Sequence, residues 1–447
     1  MSIPRVLLAP THRTGLANAV AAALTEIVTA RGQAVRYHHL GPLSPMCCWD
    51  RWEGAVFLDP ALYSEDSLLG LYDVATRGAA LSLLSSTRGL LDHNEGTDWV
   101  PAEVARLLDC PTVVLLDCRA WGTGMRALVA GLKAQMRGVN LAGAILSGVR
   151  DREHLTLLRQ ALAEEAVAVV GCLYEGDGPG WESTAPAAWG LPLETTLLEA
   201  VSRQVDVDGV ISIAGQRGFL SWQNWLSDRG ADGPVVAVAA GKGFTPWSRD
   251  SIEVLRSAGA EVRRLDLIAD SHLPPETSGL ILAGTVWPAA VPDIAMNTTL
   301  LQDIRERIDG GLPAVALGGG ALLLIDSVQD ALGRRSDLAG VLPSTGEILW
   351  DLEEPVHVEV IATSDSVLMS EGEKATGWVL TEAEITHPGE QWASPLSVPD
   401  KEIDAGRPEG AASGSLLCSR VLVHLAATPD MAPRFVQRCA QYMVSRR

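Results

Sequence analysis

Short runs of apolar and β-branched residues alternate with amphipathic stretches through the first half of the chain. The runs are Val6–Ala9, Ala80–Leu84, Thr112–Asp117, Leu141–Gly148 and Val167–Leu173, each of a length suited to a strand buried on both faces. Between them, Gly15–Ala30, Pro101–Leu108 and Gly124–Gln135 repeat apolar residues three and four apart, the spacing of a helix with one face on a core. Strands alternating with helices in this way predict β-α-β units and a doubly wound parallel sheet. A cluster of turn residues, Ser227–Pro234, breaks the pattern, so a domain boundary is expected there, with domains spanning 1–228 and 233–447.

The second half restarts the alternation. Strands are expected at Val235–Ala239, Glu261–Leu265, Gly279–Ala283 and Ala314–Leu317, with helices at Ser248–Ala258 and Thr298–Asp309. Beyond Leu342 the pattern turns strand-like (His357–Ala362, Gly377–Ile385, Arg420–Ala426) before a closing helix from Met431. Asp400–Ser415, rich in Gly, Ala, Glu and Asp, reads as an exposed loop. The fold class is therefore α/β in two domains.

Composition narrows the function. The chain carries 35 Lys+Arg against 55 Asp+Glu, a net charge of -20, which repels phosphate backbones and anionic lipid, so neither nucleic acid nor membrane is an expected partner. The opening MSIPRVLLAPTH holds no basic leader and no cleavable apolar stretch, and a cytoplasmic location is expected. Seven cysteines without a C-x-x-C pair point to reduced thiols rather than a disulfide framework. Tryptophans outnumber the other aromatics, 13 against 4 Phe and 5 Tyr. Trp49, Trp52, Trp99, Trp121, Trp181, Trp189 and Trp287 stand in polar or Gly/Pro surroundings. They either line a ligand cleft or are scattered half-buried side chains.

Two turns sit where chemistry is usually found. Leu7–Asn18 reads as strand, turn and helix start, the setting of a phosphate-binding loop, which needs glycines, a lysine for the β/γ-phosphates and a hydroxyl for magnesium. Only Gly15 answers to that pattern. Leu16 and Ala17 stand where Lys and Ser/Thr belong, and ATP with magnesium is not the expected ligand. Gly311–Ala321 reads as strand, glycine turn and helix, and resembles the nucleophile elbow of class I glutamine amidotransferases, where a cysteine sulfur is lifted towards an amide carbonyl. Here the elbow position is Gly318, which has no nucleophile; a purely packing role for the turn is the alternative.

In length, domain order and local wording the chain resembles the cobyrinic acid a,c-diamide synthase family. The collinear matches are Thr29–Gly32 to Gly41-Pro42, Leu107–Asp117, Leu141–Ile145, Gly190-Leu191-Pro192, Val235–Ala239, Ala339–Pro343 and Val423–Ala426. The resemblance implies an ATP- and glutamine-dependent amidation of two side-chain carboxylates of a corrin precursor, with relatives acting on hydrogenobyrinic acid or nickel-sirohydrochlorin. It also implies a P-loop synthetase domain of the dethiobiotin-synthetase type followed by a glutamine amidotransferase-like domain.

The family's chemical groups do not carry over. The resemblance puts the P-loop Lys and Thr at Leu16 and Ala17, the magnesium-binding Glu of a V-E-G-x-x-G-L-Y-D segment at Ser85, and the aspartate after a G-P at Leu43. Of that segment Gly89, Leu90 and Asp92 persist. The glutaminase Cys falls at Gly318 and the catalytic His at Leu422, while His424 matches a second His. Six losses in two domains imply a catalytically degenerate member.

Three uses for such a chain are open at this point. One is a binding protein holding a tetrapyrrole or corrinoid in the family's inter-domain cleft, with Arg88, Asp92, Arg119, Trp121, Trp189, Trp287 and His424 as candidate contacts, since a flat polycarboxylate suits Trp faces and Arg forks. Another is a pseudoenzyme subunit that pairs with an active paralogue or pathway enzyme as a homo- or heterodimer, as family members commonly dimerise. The last is residual amidation with ammonia, or metal binding through His12, His38, His39, Cys47 and Cys48, whose spacing matches no zinc pattern. Asp206-Val207-Asp208 reads as a loop rather than a metal pair, and Glu353-Glu354 and Glu371–Glu373 as solvated charges.

Overall fold

A computed structural model describes residues 3–41, 55–93, 99–175, 195–220, 233–246, 249–348, 355–379, 383–386, 394–398 and 406–446, save 427 and 429. The chain divides into two compact units, the first built from residues up to 41 and from 54 to 223, the second from 224 onwards.

The first unit is a seven-stranded sheet: β1 Arg5–Pro10, β2 Val35–Leu40, β3 Ala55–Leu58, β4 Leu81–Ser85, β5 Thr112–Asp117, β6 Leu141–Val149 and β7 Ala168–Tyr174. The strands run in the order β3-β2-β4-β1-β5-β6-β7, and every neighbouring pair is parallel. The chain thus winds outwards from β1 in both directions. In such a sheet ligands sit above the carboxyl ends of the strands where the winding reverses, here between β4, β1 and β5. The central strands are largely apolar because both faces are covered; β1 is buried at every residue.

Helices are set by local chemistry. Ser64, Asp151 and Asp206 cap Glu65–Thr76, Arg152–Ala163 and Val207–Ala214, each accepting a hydrogen bond from the backbone N–H three residues on. Asp206 is therefore a cap, and Asp208 pairs with Arg31 at 2.9 Å, so the two acids share no site. Helix Leu16–Ala30 has no such cap and begins at Gly15.

The second unit has a mostly parallel sheet of β8 Val235–Ala239, β10 Glu261–Leu265, β11 Thr277–Val286 and β12 Ala314–Gly318, extended by Leu416–Ser419 and an antiparallel edge strand, Ala411–Ser413. The hairpin strand β9 Phe244–Pro246 pairs with the end of β11. Two smaller sheets follow in the chain, of four and five strands. Two expectations need correction. Gly377–Ile385 is not one strand: Lys374–Val379 joins the five-stranded sheet and Ala383–Ile385 the four-stranded one. The described part of Asp400–Ser415 is not a loop: Arg407–Glu409 and Ala411–Ser413 are strands, held by Glu409, which accepts from Ser419 Oγ at 3.1 Å and Arg420 N at 2.9 Å.

No helix among the described residues is long and apolar enough to cross a membrane.

Candidate functional site

The turn after β1 and the turn after β4 interlock. Thr14 N–H donates to Thr87 O and Leu90 N–H to Pro10 O, both within 2.9 Å. Gly89 has no side chain because a Cβ there would overlap the Asp92 carboxylate and press on Thr11 O. Asp92 is exposed and folded back over its own turn, its N–H donating to Gly89 O.

The positions that a nucleotide site would use are filled from within. Ala17 is fully buried. Ser85 Oγ donates to Asn18 Oδ1 at 2.6 Å and accepts from Tyr37 Oη at 2.6 Å, a dry chain linking β2, β4 and helix Leu16–Ala30. With Leu16 in place of a lysine, Ala17 in place of a hydroxyl and Ser85 committed to this chain, the residues present do not fit magnesium-ATP.

Arg88 is also interior. It is 4% exposed, stacks on Trp99 with 4.9 Å from guanidinium carbon to ring centroid, and lies close enough to His39 for its charge to act there. Burial drives the His39 pKa down to about 3; Arg88 adds to the effect and Asp59 opposes it. Arg88 is therefore a buried structural cation rather than a side chain offered to a cleft. His38, the neighbour of His39, points to the other face of the sheet, with Nδ1 3.2 Å from Ser82 Oγ and its ring on Tyr72. The two histidines cannot share a metal, and His12 is exposed at the end of β1. No cluster of three His, Cys, Asp or Glu fit to hold a metal occurs among the described residues. Cys47, Cys48, Leu43 and Trp189 lie outside the described residues. The five described cysteines are buried and in no disulfide; burial pushes Cys110 and Cys118 up to about 12, and Cys418 and Cys439 higher still.

A cleft of about 190 Å³ opens above the carboxyl ends of β1, β5 and β6. Its wall carries Asp117 and Arg119. Arg119 Nη2 and Nε donate to the Asp117 carboxylate at 2.6 to 3.1 Å. These bonds, with a smaller contribution from His12, hold Asp117 below the usual carboxylate range. Trp121, 39% exposed, follows on the same loop, and its carbonyl accepts from His154 Nε2 at 2.7 Å. Of the candidate contacts, Arg119 is brought to a cleft wall and Trp121 stands beside it on the surface.

In the second unit β12 ends at Gly318 with φ 62° and ψ −130°, and helix Gly319–Leu322 starts at once. This is the sharp strand-to-helix turn of a nucleophile elbow, a backbone region that costs a side-chain-bearing residue strain. The helix sits directly on β11: a Cβ on Gly319 would collide with Val286 N, and one on Gly320 with Leu282 O. No side chain is present at Gly318 to attack a carbonyl. Leu422 is buried in strand Val421–Val423, opposite Trp378.

His424 is buried as well, between Ser251 and Asp250 at 3.0 and 3.3 Å, both measured to Nε2. Its Nδ1 accepts from Ala426 N–H at 3.1 Å, so the proton lies on Nε2. A working Ser–His–Asp set places serine and acid on opposite ring nitrogens; here both share one, and Ser251 is inaccessible. His424 is a clasp between the strand end and helix Arg249–Ser257, not a ligand contact. Sequence reasoning passed over Asp250 and Ser251, since nothing local marks them. Trp287 is buried too, packed on Ala290, with its N–H on Gly243 O at 3.0 Å.

No family model matches the chain. It is 28% identical to the hydrogenobyrinate a,c-diamide synthase of Thermobifida fusca, over 97% of this chain and 96% of that protein. The Mycobacterium tuberculosis protein of the same name is 28% identical over 86% of each, and the cobyrinate a,c-diamide synthase of Dehalococcoides mccartyi 22% identical over 98% of each. Over nearly its whole length the chain is thus similar to cobyrinate and hydrogenobyrinate a,c-diamide synthases.

Proposed function

We propose that this chain is a non-catalytic member of its family that binds a tetrapyrrole or corrinoid carrying side-chain carboxylates. The observation that carries the reading is Gly318: the elbow keeps its φ of 62° and ψ of −130° but has no sulfur, so glutamine has nothing to form a thioester with. Loss of a nucleophile costs on the order of a million-fold in turnover. Support comes from the first unit, where Ser85 and Ala17 stand at the metal-binding positions that the resemblance implies, and from relatives named for hydrogenobyrinate and cobyrinate.

The test pairs binding with turnover. Titration of the full chain with hydrogenobyrinate, cobyrinate and a cobalamin, followed by visible absorption and thermal unfolding, is expected to raise the melting temperature by several degrees with one of them. Magnesium-ATP at millimolar concentration is expected to leave it unchanged, and glutamine to yield no glutamate. Amide formation on the tetrapyrrole from ATP and either glutamine or ammonia would overturn the non-catalytic reading. No shift with any tetrapyrrole would overturn the binding reading and favour a subunit that acts through a protein partner.

A further inference from the structure

The cleft above β1, β5 and β6 is built around one arginine. Gly148, at the end of β6, has φ +66°, and a Cβ there would overlap Arg119 Cγ, so the guanidinium lies across the strand end only because position 148 lacks a side chain. Asp117 holds it from the side through Nε and Nη2. The rim adds His12 and Arg13, both exposed, and Thr14; Asp117 is the one acid among the lining residues. The remaining wall includes Pro10, Leu16 and Leu115.

We propose that this cleft binds a short aliphatic carboxylate, its head on Arg119 and the His12–Arg13 rim and its stem on Leu16 and Pro10. Size suits a small head group. About 190 Å³ at the foot of the cleft is room for a four- or five-carbon acid. Charge sets a bound. The ionised Asp117 beside the head group opposes a second negative charge, so a monoanion is accepted where phosphate dianions are not. An apolar Leu16 at the mouth suits a methylene stem. The acid is either free or the carboxyalkyl arm of a larger molecule, and the site itself stands apart from the tetrapyrrole reading.

Saturation-transfer NMR on the full chain with butyrate tests it. Wild type is expected to bind butyrate with a dissociation constant in the millimolar range, with no displacement by equimolar inorganic phosphate. Arg119→Gln is expected to weaken binding at least tenfold at an unchanged melting temperature, and Gly148→Ala to weaken it as much while lowering the melting temperature, because a side chain at φ +66° is strained. Arg264→Gln, which breaks the Arg264–Asp266 pair in the other unit, serves as a control that binds as wild type. No transfer to butyrate in wild type, equal transfer in both cleft variants, or displacement by phosphate would overturn the proposal. Displacement of butyrate by hydrogenobyrinate would assign the arm of a larger ligand, and its retention a free acid. A protein that binds butyrate but no tetrapyrrole keeps this site and loses the reading above.

Discussion

The turn after β1 and the turn after β12 each follow an interior strand of a mostly parallel sheet, yet they are held in opposite ways. After β1 side chains fill the space: Ala17 is packed away, Ser85 is tied to Tyr37 and Asn18, and Arg88 is folded inward on Trp99. After β12 the backbone itself sets the shape, through the φ and ψ of Gly318 and the close approach of the next two glycines to β11. A site whose chemistry comes from long side chains can be filled from within by shorter ones. A site whose geometry is also the packing of a helix on a strand keeps that geometry whatever its chemistry does.

The comparison breaks most easily at Gly320. Gly320→Ala drives a methyl into the Leu282 carbonyl, and the cost is expected at or above about 3 kcal/mol, read as a loss of unfolding free energy in urea. A near-neutral result would mean the elbow helix is loosely seated and its geometry carries no packing constraint. Ser85→Ala tests the other side. It removes the hydrogen bonds that Ser85 makes with the Tyr37 hydroxyl and the Asn18 amide oxygen in the interior, at an expected cost of about 1–3 kcal/mol in the same measurement. A neutral Ser85→Ala would show that the chain of hydrogen bonds is not what fills the former site.

The interior around Arg88 gives a pH signature. His39 has a folded pKa near 3 against an ordinary value of 6.5, so below about pH 6.5 the unfolded chain takes up a proton that the folded chain refuses. Its contribution to stability is whole above pH 6.5 and falls by up to about 1.4 kcal/mol per pH unit as the pH drops towards 3. His39→Asn is expected to remove that slope between pH 6.5 and 5 in urea titrations, and an unchanged slope would place the proton uptake elsewhere. The smallest effect is expected at Gly318→Cys. Restoring a side chain in this backbone region costs about 1–3 kcal/mol, at the lower end here because the turn already has the required shape. With Leu422 where the catalytic histidine would stand, the new thiol is expected to give no glutaminase activity, measured as glutamate release.

Strands β5 and β8 and helix Thr298–Asp309 are legible in the sequence to the residue, because each is an apolar run or helical period bounded by turns. Strand β2, VRYHHL, is not, since its buried Tyr37, His38 and His39 read as surface until Ser85, Ser82 and Arg88 are known to meet them. The same holds for the site. The empty chemistry of Leu16, Ala17, Ser85 and Gly318 can be read from residue types. The inward fate of Arg88, Trp287 and His424 cannot, because Trp99, Gly243 and Asp250 reach them from separate parts of the chain. Arg119 owes its place to Gly148, 29 positions later, a dependence that only the sheet reveals.

The buried thiols have a practical consequence. Cys110 and Cys118 lie in the first unit and Cys418 and Cys439 in the second, all shielded and protonated at neutral pH. An alkylating reagent can therefore mark them only when the surrounding core opens. Mass spectrometry of the labelled peptides would time the opening of each half separately, a clock already written into the chain and needing no engineered probe.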